Sequence, residues 1–124
     1  MNDNGLVVWD IRERSFRFSV RIVKFCQTLD ASPGVNLTLT NQLLRCGTSI
    51  GANIEEAHGG QSKADFVAKM SSSIKEARET HYWLRLLTAT EMVPESKLTE
   101  LSDEANQLVA ILTSIVKNAK KSVI

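Results

Sequence analysis

Arg14, Arg17, Arg21 and Lys24 step along the chain by three, four and three. At roughly 100° per residue in a helix they fall within about 80° of arc and form one basic stripe. Clustered guanidinium groups suit phosphate, because the planar fork donates in pairs to its oxygens and displaces counterions from a nucleic-acid backbone. Between Ile11 and Leu29 the sole acid is Glu13, so neutralisation within the helix is scarce. The stripe is therefore a candidate contact for RNA or DNA, with Lys117, Lys120 and Lys121 as candidate auxiliaries, and a solvated helix face is the plain alternative.

The stretch Arg45-Cys-Gly-Thr-Ser-Ile-Gly-Ala-Asn-Ile-Glu-Glu-Ala-His-Gly59 offers two other chemistries. A phosphate-binding loop needs GxxxxGK followed by Ser or Thr, and a dinucleotide fingerprint needs GxGxxG after a strand; neither is present. Gly47 and Gly51 instead stand one turn apart on a helix and remove bulk where another helix approaches. Each costs about 1 kcal/mol of helix propensity relative to Ala, which close packing must offset. Glu55-x-x-His58 has the ligand spacing of ferritin-like di-iron bundles, but those need a second such motif and two further inward glutamates. The other histidine, His81, has Arg78 three residues before it, so no metal is expected. His58 belongs to a helix end, and His81 is read as a hydrogen-bonded, partly buried histidine. Ser71, Ser72 and Ser73 lie mid-helix and suit tight packing better than nucleophilic attack. No catalytic residue and no cofactor emerge. Tyr82, Trp83 and Leu86 are read as core, subunit contact or pocket lining.

Four helices must position these residues. Leu98, Leu101, Ala105, Leu108, Leu112, Ile115 and Ala119 repeat by threes and fours after Pro94. Ser62-Lys-Ala-Asp65 is a capping box opening the series Phe66, Met70, Ile74, Ala77, His81 and Leu84, predicting a helix from about Ser62 to Thr90. Leu39, Leu43, Ile50, Ile54 and Ala57 keep helical spacing through both glycines until Gly59-Gly60. Phe18, Ile22, Phe25 and Leu29 mark the first helix, which the Asp30-Ala-Ser-Pro-Gly34 cluster ends. The expectation is an all-α, antiparallel up-and-down four-helix bundle, one domain over residues 1–124. The first helix carries two apolar sets on nearly opposite sides: Ile11, Phe18, Ile22, Phe25 and Leu29, and then Phe16, Val20 and Val23. One face suffices for a monomer's core, so Phe16, Val20 and Val23 are read as an oligomer interface with the basic stripe beside them.

Bulk properties agree with this reading. The net charge of +1 leaves any affinity for nucleic acid to local pattern. Cys26 and Cys46 stand twenty apart without CxxC and are read as buried apolar thiols. Neither an export signal nor a membrane span is read, and the expected location is the cytoplasm.

Arg45-x-x-x-Ser49-Ile50-x-x-Asn53-Ile54-x-Glu56 and Lys75-Glu76-Ala77-Arg78-Glu79-Thr80-x-Tyr82-Trp83-Leu84-Arg85-Leu86-Leu87 resemble the four-helix-bundle family of proteins encoded in 23S ribosomal RNA intervening sequences. The resemblance covers the chain from about Trp9 to Ile115. It implies a small cytoplasmic bacterial protein, a homopentamer arranged as a barrel, with no known catalytic residues. A related member, the accessory variability protein of diversity-generating retroelements, is a basic pentamer that binds nucleic acid and a reverse transcriptase. Ser49, Asn53, Glu56 and Glu76 match the family's polar positions and are expected to satisfy one another across helices two and three, as structural residues. Ala57 stands where many members have glycine, and this chain is far less basic than the retroelement protein. The function expected is non-enzymatic and oligomeric, binding nucleic acid through the first helix; the rival is a protein-interaction scaffold with a protein partner alone.

Overall fold

The computed structural model describes residues 3–29 and 32–121, with side chains from residue 10 onward. Four helices fill it: α1 (Asp3–Gln27), α2 (Val35–His58), α3 (Lys63–Ala89) and α4 (Glu95–Lys121). Short connections make sequential helices antiparallel, and the contacts run α1 to α2, α2 to α3, α3 to α4 and α4 back to α1, so each diagonal pair stays apart. This is the all-α up-and-down bundle that the periodicities predict. Helix α1 starts at Asp3, upstream of Ile11, the first residue of its buried apolar set. Asp30 and Ala31 of the expected terminating cluster lie outside the described residues, as does the side chain of Trp9.

The core follows the apolar series. Phe18 and Ile22 of α1, Leu43, Ile50 and Ile54 of α2, Met70, Leu84 and Leu87 of α3, and Leu98, Leu108 and Leu112 of α4 are fully buried. Removing one such side chain leaves a cavity and costs about 2–5 kcal/mol. Cys46 is buried and Cys26 half-buried; both are free thiols. Burial pushes each thiol up to about 11, so neither ionises near neutral pH.

Helix ends explain the turns. Ser62 Oγ accepts from the Asp65 amide at 3.1 Å and caps α3. The Pro94 carbonyl receives the Lys97 amide at 3.0 Å as α4 begins. Gly59 stops α2 where the sequence predicts, but at φ −89° it is right-handed, so its conformational freedom is not used there. The left-handed cap occurs at Glu91 instead, with φ 57°. The Met92 amide bonds the Leu87 carbonyl at 3.2 Å and the Glu91 amide bonds that of Thr88 at 3.1 Å, the paired bonds of a Schellman motif.

The glycines of α2 bring α1 close. A Cβ on Gly47 would stand 2.8 Å from Ile22 Cγ2, and one on Gly51 would stand 3.3 Å from Ser19 Oγ. Ser15 and Ser19 turn their hydroxyls to their own helix, on Arg12 O at 3.0 Å and Ser15 O at 3.1 Å. Gly51 therefore faces small residues along this seam, while Gly47 makes room for Ile22.

Candidate nucleic-acid interface

The basic stripe of α1 runs along the edge nearest α4, and three of its four members are ion-paired. Arg14 forks onto Glu104, with Nε and Nη2 each 2.7 Å from a carboxylate oxygen, and Nη2 also donates to Gln107 Oε1 at 2.7 Å. That carboxylate holds the guanidinium further above its ordinary pKa, chiefly through the hydrogen bond. Arg17 bonds Glu13 one turn back at 3.1 Å, both ends exposed. Arg21 reaches Glu100 at 3.6 Å across open solvent, a pair of small energetic consequence. Lys24 is exposed and has no acid within ion-pair distance among the described residues. The acids scarce within α1 come instead from α4. Glu100 and Glu104, one turn apart beside the buried series of α4, were the legible signal, and a reading of α1 in isolation missed them.

The two apolar sets of α1 separate as their spacing requires. Ile11, Phe18 and Ile22 are buried, with Phe25 and Leu29 packed at the core's edge. Phe16 is 63% exposed, Val20 38% and Val23 37%, facing away from the core.

The polar motif residues do not form the mutual network expected of them. Ser49 donates to Arg45 O at 2.6 Å and Asn53 Nδ2 to Ser49 O at 2.9 Å, so both satisfy carbonyls of their own helix. They are half-buried, where water relieves the demand for a partner across the seam. What crosses from α2 to α3 is charge: Arg45 pairs with Glu76 at 3.3 Å and with Glu79, and Glu56 pairs with Lys69 at 2.9 Å. The buried crossing bond is one the sequence reading missed, Ser73 Oγ donating to Ile50 O at 2.8 Å. A serine inside a regular apolar series was its signal.

Glu55 and His58 diverge. Glu55 receives Arg12 at 2.8 and 3.3 Å, and that hydrogen bond holds its carboxyl below the usual range. His58 Nδ1 meets Ile54 O at 2.8 Å, with its ring edge-on to Phe66. His81 is half-buried and has no hydrogen-bond partner among the described residues. Tyr82 and Leu86 border a cleft of about 490 Å³ between α3 and α4.

Residues 6–114 match the family model described as 23S rRNA-intervening sequence protein. The chain belongs to that family. A solved structure of a protein of unknown function from the S23 ribosomal protein family of Bacteroides thetaiotaomicron is 38% identical, with a TM-score of 0.83 over 90% of this chain and 98% of that one. Comparison with curated proteins returned no match. The match to the 23S rRNA-intervening sequence proteins spans all of α2 and α3, which carry both motifs, and most of α1 and α4. Among the described residues, no helix is long and apolar enough to cross a membrane.

Proposed function

We infer that this protein works without catalysis, as a bundle that assembles with copies of itself. The observation that carries this reading is the outward apolar face of α1, where Phe16, Val20 and Val23 cover two turns opposite the buried set. A four-helix core has no use for a second apolar face on one helix, and an apolar face left in water is an association surface. The 23S rRNA-intervening sequence family resemblance, which implies a pentamer, supports the same occupant, a second copy. Val20→Asp places a charge in the middle of that face without touching the core. Light scattering is expected to give a lower mass for Val20→Asp than for the native chain, and an unchanged mass would refute the assignment.

Nucleic-acid binding by the α1 stripe is the second reading, and it rests on Arg17, Arg21 and Lys24, whose side chains are exposed. Arg14 contributes to the fold, since its Nε and Nη2 donors are taken by Glu104 and Gln107. Charge reversal at Arg17 and Arg21 is expected to weaken RNA and DNA binding together; unchanged affinity would remove α1 from the interface.

A further inference from the structure

Helix α3 carries a second run of cations, with an aromatic set among them: Lys75, Arg78, Tyr82 and Arg85, again stepping by three, four and three. They share about 80° of arc, roughly opposite the buried line of Ser73, Ala77, Thr80, Leu84 and Leu87. All four are exposed, Tyr82 by 54%. Their electrostatics differ from those of α1. The three arginines of the α1 stripe have carboxylate partners, whereas no acid of the described residues lies within ion-pair distance of Lys75, Arg78 or Arg85. Arg45 is the cause. It holds Glu76 and Glu79 against α2, and Glu79 is the residue one turn on from Lys75 that would otherwise offset it.

Tyr82 stands edge-on to Trp83, with ring centroids 5.3 Å apart at 75°, so a neighbour braces it while more than half of it meets solvent. It sits on the rim of the α3–α4 cleft, whose walls also include Arg85, Leu86, Leu98, Glu95 and Asp103. Leu86 offers apolar surface inside, and the two carboxylates disfavour entry of an anion while accepting hydrogen bonds from amino groups.

We propose that this face binds single-stranded nucleic acid, with Lys75, Arg78 and Arg85 on phosphates and a base stacked on Tyr82 at the mouth of the cleft. Of the cations only Arg85 lines the cleft, beside the carboxylates of Glu95 and Asp103, while Lys75 and Arg78 lie outside its lining; phosphate is thereby drawn toward Lys75 and Arg78, and the amino groups of a base toward the carboxylates. Stacking on an exposed ring requires a base with a free face, which a strand offers and a duplex does not. The ridge from Lys75 to Arg85 is about 15 Å long, enough to meet more than one phosphate. This assignment is independent of the α1 stripe and of self-association.

Fluorescence anisotropy of a labelled uridine oligonucleotide, an abasic strand of equal length and a duplex, each across a salt series, tests it. The native chain is compared with a triple variant of Lys75→Gln, Arg78→Gln and Arg85→Gln, with Tyr82→Ala, and with a triple variant of Arg17→Gln, Arg21→Gln and Lys24→Gln. The α3 triple variant is expected to bind the oligonucleotide more than tenfold more weakly, and to lower the log-log salt slope by about 2, at about 0.7 per phosphate contact on a single strand. Tyr82→Ala is expected to weaken the uridine strand about tenfold while leaving the abasic strand unchanged. The proposal is overturned by absence of native binding at low salt, by α3 variants that bind as the native chain does, by a neutral Tyr82→Ala, or by polyglutamate competing as well as the oligonucleotide. Circular dichroism and light scattering on each variant confirm folding and mass; should the triple variant alter either, Arg78→Gln alone carries the same readout. A native chain that is monomeric yet binds the strand would sink only the self-association reading.

Discussion

Gly47 and Gly51 look equivalent in the chain and differ in what lies over them. A Cβ at Gly47 would press on two carbons of a buried, β-branched isoleucine, at 2.8 and 3.0 Å. Overpacking of that kind costs about 1–3 kcal/mol, against about 1 kcal/mol gained in helix propensity. At Gly51 the nearest atom is the Ser19 hydroxyl oxygen at 3.3 Å, which need yield only slightly. Urea denaturation is expected to show Gly47→Ala destabilised by about 1 kcal/mol or more and Gly51→Ala near neutral or slightly stabilised. Equal midpoints would mean that Ile22 yields without strain. Spacing alone identified the glycines as a packing device, yet the unequal demand depends on Ile22, a residue 25 positions away from Gly47 in the chain.

Each helix was legible from its apolar repeat, while the turns were legible only in part. Ser62 caps α3 as its type and place predict. The α3 to α4 turn was placed by the end of the α3 series near Thr90 and by Pro94, but its left-handed cap had no signal, because Glu91 stands there where glycine is usual. A non-glycine residue there costs roughly 1–2 kcal/mol in backbone strain, partly offset because glycine is freer in the unfolded chain. Glu91→Gly is therefore expected to raise stability by about 0.5–1 kcal/mol, read as a higher thermal midpoint; a lower midpoint would show that the Glu91 side chain contributes more than its backbone costs.

For the molecule as a whole, α1 and α4 close the ring of helices through their thinnest contact, and the Arg14 to Glu104 fork lies there. Glu104's side chain is only 15% exposed, so removing Arg14 leaves a carboxylate poorly solvated and unpaired. A double-mutant cycle with Arg14→Met and Glu104→Met is expected to give a coupling on the order of 1–2 kcal/mol, with the double variant more stable than Arg14→Met alone. Zero coupling would make the fork a surface pair without energetic weight.

The sequence by itself determined the number of helices, their buried faces, the stop at Gly59 and the outward set Phe16, Val20 and Val23, because each follows from local periodicity and residue type. Only the tertiary structure decided which charges remain available. Glu104 and Glu100 come to α1 from some ninety and eighty residues away, and Arg45 draws Glu76 and Glu79 toward α2. Two stripes of identical spacing thus acquire different electrostatic characters, since ion pairing depends on distances between helices that no single helix encodes.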